Sequence, residues 1–190
     1  MLRDRIRSEG AFMDWRDLPK DPSPRGNEVE ILRFAVDRVR QQFAWKTGGL
    51  DAEQLRHRHP PSTLTLAGLI KHMAFVEDGF TARAAEQPLA PPWDVRGWVE
   101  NGQWGWESAV TDNPEELYAL WYGAAARSRA TWEQLSADGG LDVVIPDPDP
   151  EWSPNRRMIL IDLLEEYLKH TGHADILREA VDGVTGNDPD

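Results

Sequence analysis

The stretch EEYLKHTGHADILREAVDGVTG, residues 165–186, decides the fold. It lies in a longer run, Met158 to Val181, whose apolar residues recur every three or four positions, the period of an amphipathic helix. Ser153-Pro154 offers a cap followed by a first-turn proline, and Gly183 is a stop. The polar residues of this helix are not where solvent would place them. At about 100° per residue, Glu166, His170 and His173 share one narrow sector with Ile159, Leu163, Ala174 and Leu177. Asp162 stands one turn before Glu166. These groups lie on or beside the stripe that faces a core.

Three more long helices precede it. Asn27 is a plausible N-cap with Glu28 and Glu30 behind it, where the helix dipole favours carboxylates. Ile31, Leu32, Ala35, Val36, Val39 and Phe43 form one stripe, and Gly48-Gly49 ends it. Residues 51–57 suit a short helical turn, while His59-Pro60-Pro61 excludes helix. A second long helix opens at Thr63 or Thr65 and runs to about Glu86, with Leu66, Leu69, Ile70, Met73, Val76 and Phe80 on its apolar face. A third starts at Asp112 or Asn113, with Pro114 in its first position, and ends at Gly139-Gly140. Residues 141–153 read as a connector with at most a brief strand pairing, because three prolines interrupt them. With no strand signal of weight, the fold class is all-α, a four-helix bundle. Residues 1–26 read as an N-terminal arm packed on the body, 27–186 as the bundle domain and 187–190 as a tail.

Between the second and third long helices, residues 93–112 show no clean period and hold Trp93, Trp98, Trp104 and Trp106. An irregular segment of this length is a lid, a binding loop or an interface. Four indoles cannot all enter a small core that already takes Trp45, Trp121 and Trp132. The expectation is a lid over a site or a homodimer contact, with stapling of the connection onto the bundle as the alternative.

Composition narrows the function. The chain has 190 residues, which makes one domain the default. It has no cysteine, so disulfides, Cys-ligated zinc and a Cys nucleophile are excluded. Lys and Arg number 21 against 33 Asp and Glu, a formal charge of −12, which argues against nucleic acid as a partner. No run approaches the roughly 20 apolar residues of a membrane span, and the start, MLRDRIRSEG, is too charged for a secretory signal. The expectation is a soluble, cytoplasmic protein acting on a small molecule.

His72 borders the buried face of the second long helix, since its neighbours at three and four residues are Gly68, Leu69, Val76 and Gly79. A buried imidazole needs partners for both nitrogens. A shared divalent metal held by His72, His170 and His173 meets that need and leaves a position open, the pattern of a catalytic centre. The plain alternative is a set of hydrogen-bonded core histidines. Asp162 and Glu166 are candidate bases or supports for the ligands. Glu77, five residues from His72 and pointing partly away from it, is a weaker candidate for the same role and reads first as a surface carboxylate. His57 and His59 flank the Pro-Pro loop and read as solvated.

The stretches KTGGLDAEQL (46–55), PSTLTLAGLIKHMAFVE (61–77), NPEELYALW (113–121) and EEYLKHTGHADILREAVDGVTG (165–186) together resemble the DinB/YfiT-like metal-dependent helix bundles, in the branch called domain of unknown function 664. The resemblance implies an up-down-down-up topology. It also implies a divalent metal, zinc or nickel, held by one residue of the second helix and two of the last. By position His72 and His170 are ligands, and His173 or Glu166 is the third. Relatives with two His four apart would place the second at Ala174, and the branch carries His where this chain has Asp162. Some relatives are transferases or isomerases that use a low-molecular-weight thiol such as mycothiol. The implied function is a metal-dependent thiol S-transferase or related hydrolase. The alternative is a non-catalytic, stress-related bundle that binds a metal or small ligand.

Overall fold

The computed structural model describes residues 25–93 and 104–186. Most of the expected arm, the tail at 187–190, Trp98 and the Trp104 side chain lie outside them. Four long helices and two short ones are present among the described residues: α1 (Glu28–Thr47), α2 (Ala52–Arg56), α3 (Leu66–Ala84), α4 (Trp104–Ala109), α5 (Pro114–Ala137) and α6 (Arg156–Asp182).

Local chemistry sets the helix ends. Asn27 and Glu30 exchange hydrogen bonds as a capping box on α1. Thr65 caps α3 through the Gly68 N–H, and Asn113 caps α5 ahead of Pro114. The last helix begins later than Ser153-Pro154 suggests. Asn155 is its N-cap and accepts from Met158 N–H at 3.0 Å. The two residues before it stay extended because Ile145 N–H donates to Pro154 O and Arg156 N–H to Val143 O, at 2.8 and 2.9 Å. The brief strand pairing expected in this connector is thus a single bridge between Val144 and Asn155. The α4 turn, inside a segment with no visible period, is a further departure from the sequence reading.

Residue pairs between helices give the topology. Tyr118 donates to Thr47 O, the Phe43 ring packs tilted against Trp121 and Arg129 meets Asp37, so α1 and α5 run antiparallel. Glu28 pairs with Arg157 and Lys46 with Asp175, so α1 and α6 run parallel. His72 meets Glu166 near one end and Ala84 O meets Arg156 at the other, so α3 and α6 are antiparallel. The result is the up-down-down-up bundle. Its core holds Val36, Val39 and Phe43 of α1, Leu69, Ile70 and Met73 of α3, Leu117 and Trp121 of α5, and Ile159, Leu163, Ala174 and Leu177 of α6.

Parallel neighbours α3 and α5 force the chain between them to travel back along the bundle. Trp93, on this return, is fully buried and donates its indole N–H to Asp78 at 2.8 Å. It therefore belongs to the core, which agrees with the stapling alternative at this residue and not with a lid or interface. α4 then lies against α3. The Lys71 ammonium reaches Ser108 Oγ and Asp112 Oδ2 at 2.8 and 2.6 Å, which fastens α4 and the start of α5 to α3.

Candidate metal centre

Antiparallel packing of α3 and α6 brings His72, Glu166 and His170 together. One ligand atom from each lies within 4.8 Å of the others, and among the described residues they form the single such group. His72 Nε2 and His170 Nε2 each stand 3.2 Å from Glu166 Oε2. The two imidazoles meet edge to face with ring centres 4.6 Å apart. The other Glu166 oxygen accepts from the Lys169 ammonium. Glu166 therefore completes the group geometrically. His173 stands behind His170, with their Nδ1 atoms 3.2 Å apart, and does not join the three.

The electrostatics keep both imidazoles neutral and the carboxylate charged. Burial pushes His170 down to about 4, and the neighbouring His72 adds to that. Burial also lowers His72, against the opposing pull of Glu166. Glu166 is raised by burial but lowered further by Lys169 and His72, so it ends below its ordinary value. Neutral imidazole nitrogens and an ionised carboxylate are the protonation states that metal ligation needs.

The donor set fits a divalent ion. Ligand atoms bound tetrahedrally at about 2.0–2.2 Å are roughly 3.3–3.6 Å apart, a few tenths of an ångström beyond the two 3.2 Å separations here. Three protein donors of N, N and O type match an open zinc or nickel site. The contact between His173 and His170 is of the kind that fixes a ligand's tautomer and ring plane.

Asp162 does not enter the group. Burial raises its carboxyl above the ordinary value, and the charges of Glu165 and Glu166 outweigh the lowering by Arg83. Glu77 is not a surface carboxylate. It has no exposed surface and takes two hydrogen bonds from Arg40, at 2.6 and 2.7 Å. The helix period contained this signal, because Glu77 falls four after Met73 and seven after Ile70, inside the apolar stripe. Measuring its phase from His72 alone concealed it.

Among the described residues of the Trp-rich segment, Trp106 reaches the site. Its indole stacks on His72 with ring centres 4.7 Å apart and planes 23° from parallel, and lies 6.0 Å from His170. Nothing in the spacing of residues 93–112 distinguishes it from the other tryptophans.

A family model described as Mycothiol-S-transferase matches residues 31–183, which include all of these groups. Among solved structures the chain is similar to a conserved protein from Enterococcus faecalis, with a TM-score of 0.64 and 17% identity, over 84% of this chain and 99% of that one. That likeness is one of fold. No curated protein matches the sequence.

Proposed function

The chain belongs to the mycothiol-S-transferase family, a DinB-like family, and we propose that it joins the sulfur of a mycothiol-like thiol to a small electrophile, using a divalent ion held by His72, Glu166 and His170. The observation that carries this reading is the convergence of those three donors from two helices. A zinc or nickel ion held by these residues would supply the positive charge that makes a thiol easier to deprotonate. The chain has no cysteine, so the sulfur comes from a cosubstrate.

The protein's own groups prepare the site for that task. Lys169 occupies one oxygen of Glu166 and leaves the other toward the two imidazoles. His173 orients His170. Asp162, one turn before Glu166, is the candidate acceptor for the thiol proton, because its raised pKa makes it a better base than an exposed carboxylate. In the transfer the S–H bond and the bond between the electrophilic carbon and its leaving group break as the S–C bond forms; the thiol proton passes to the Asp162 carboxylate and the leaving group departs with its bonding electron pair. No helix among the described residues is long and apolar enough to cross a membrane. A cytoplasmic setting suits the reading, because reduced thiols are maintained there.

The test is metal content after purification without chelator, followed by loss of free thiol in the presence of electrophilic substrates. Bound metal in the wild type, lost together with thiol turnover in His72→Ala and His170→Ala, supports the reading. A metal-free protein that consumes no thiol favours a non-catalytic bundle in which the same three residues form a hydrogen-bonded cluster.

A further inference from the structure

We propose that Trp106 is a positioning residue for His72, holding the imidazole in the plane from which its Nε2 meets Glu166, and that Gly68 is the seat this indole requires. The inference rests on the reading of His72, Glu166 and His170 as metal ligands. The terminal torsion of a histidine is broad and roughly two-fold, so a ring that must point one nitrogen at a fixed spot needs contact on its faces. His72 has it. The indole covers one face at 4.7 Å, His170 approaches at 4.6 Å, and Glu166 sits in line with Nε2 at 3.2 Å.

Gly68 explains how the indole gets there. It stands one turn before His72, as the third residue of α3, where its N–H donates to the capping Thr65 Oγ1 at 3.1 Å. A Cβ at this position would lie 2.7 Å from Trp106 Cε3, 3.3 Å from Cζ3 and 3.2 Å from Thr65 Oγ1. The helical glycines Gly79 and Gly172 show no such conflict: the nearest atom to a Cβ is 3.7 Å away at Gly79, and none lies within 4 Å at Gly172. At Gly123 the close atom is the flexible end of Arg127, Nη1 at 3.2 Å, so among the glycines of α3, α5 and α6 the approach below 3.0 Å is to the indole. α4 cannot easily withdraw it, because Lys71, the residue before His72, binds Ser108 and Asp112 on either side of the fully buried Ala109. The same stretch of α3 thus supplies the candidate ligand, the anchor for α4 and the hollow for the ring.

The experiment compares wild type, Trp106→Ala, Trp106→Phe, Gly68→Ala and the Trp106→Ala/Gly68→Ala double variant by Co²⁺ titration, thermal melting and imidazole proton NMR. His72 signals, identified by their absence in His72→Gln, are expected upfield through the indole ring current, and this shift should vanish in Trp106→Ala and Gly68→Ala. Co²⁺ affinity should fall about 10–100-fold in both, and recover largely in Trp106→Phe, which keeps an aromatic face. The double variant should bind no worse than Trp106→Ala, because Gly68 acts only through the indole. Trp106→Ala with wild-type Co²⁺ affinity, or losses that add in the double variant, would overturn the proposal. A wild type that binds no Co²⁺ overturns the metal reading instead. The ring-current shift and the melting cycle then decide the positioning claim: coupled effects sustain it, and independent ones end it.

Discussion

Glu77 carries a negative charge in a place with no exposed surface, and its neighbours account for it. Arg40 binds both its oxygens, Tyr167 donates to Oε1 at 2.5 Å, and the Trp121 indole donates to the Tyr167 oxygen at 2.9 Å. Asp37 takes one bond from Arg40 and one from Arg129, so two acids and two bases close a neutral cluster. Removing Glu77 leaves Arg40 with Asp37 and Ser128 but strands two of its buried donor contacts, and it takes the acceptor from the buried Tyr167 hydroxyl. Glu77→Ala should therefore cost about 3–5 kcal/mol in urea unfolding at neutral pH. Burial raises the Glu77 carboxyl, but the Arg40 charge and the hydrogen bonds from Arg40, Tyr167 and Ser128 outweigh it, so it lies below its ordinary 4.5. A carboxylate lowered on folding adds stability above its unfolded value and loses it as pH falls through the folded one. The wild type should thus weaken progressively below about pH 4.5. Glu77→Gln should lack that component of the acid slope; an unchanged slope would mean that other carboxylates carry it.

Helix ends show the same economy of partners at the next scale. Arg156, in the first turn of α6, donates to Ala84 O, Leu135 O and Asp138 O, so one side chain covers the carboxyl ends of α3 and α5. Arg178 does the same for α1 through Lys46 O and Gly48 O. A guanidinium suits such carbonyls because it offers several donors and complements the negative helix terminus. Arg156→Met should lower the melting temperature and cost at least about 2 kcal/mol, since it strands buried acceptors. Leu163, wholly buried on the stripe that positions Glu166 and His170, should cost about 2–5 kcal/mol when cut to alanine. The end of α3 offers the opposite change. Glu86 is left-handed at φ 53°, with Gln87 N–H bound to Ala82 O and its own N–H to Arg83 O, a closure that normally uses glycine. Glu86→Gly should raise stability by about 0.5–1 kcal/mol in denaturant melts. Much at this scale was legible beforehand: the cap Asn27 and the stop at Gly183 are local chemistry, and Thr65 and Asn113 were each one of two neighbouring candidates, beside Thr63 and Asp112. The start of α6 was not, because Asn155 is chosen over Ser153 by a bridge to Val144, which sequence spacing does not announce.

In the whole molecule, the candidate site spans two antiparallel helices, so filling it should also stabilise the bundle. Zinc at a hundred times its dissociation constant should add about 2.7 kcal/mol, seen as a rise in melting temperature that chelator reverses and His170→Ala abolishes. A wild type indifferent to zinc and nickel would leave His72, Glu166 and His170 as a hydrogen-bonded cluster. The up-down-down-up order also explains the long return between α3 and α5, which brings Trp93 into the core and Trp106 onto His72. By itself the sequence determined four amphipathic helices and the sector of the last one that holds Glu166, His170 and His173. That much follows from the 3.6-residue period, a property each segment has alone. Which donors converge was decided only in the tertiary structure. His72 and Glu166 are 94 residues apart, and their 3.2 Å approach depends on the rotation and axial offset of α3 against α6. A hydrophobic pattern leaves both free within a turn, so Glu166 beside the imidazoles, Arg40 on Glu77 and the indole on His72 all required the packed bundle.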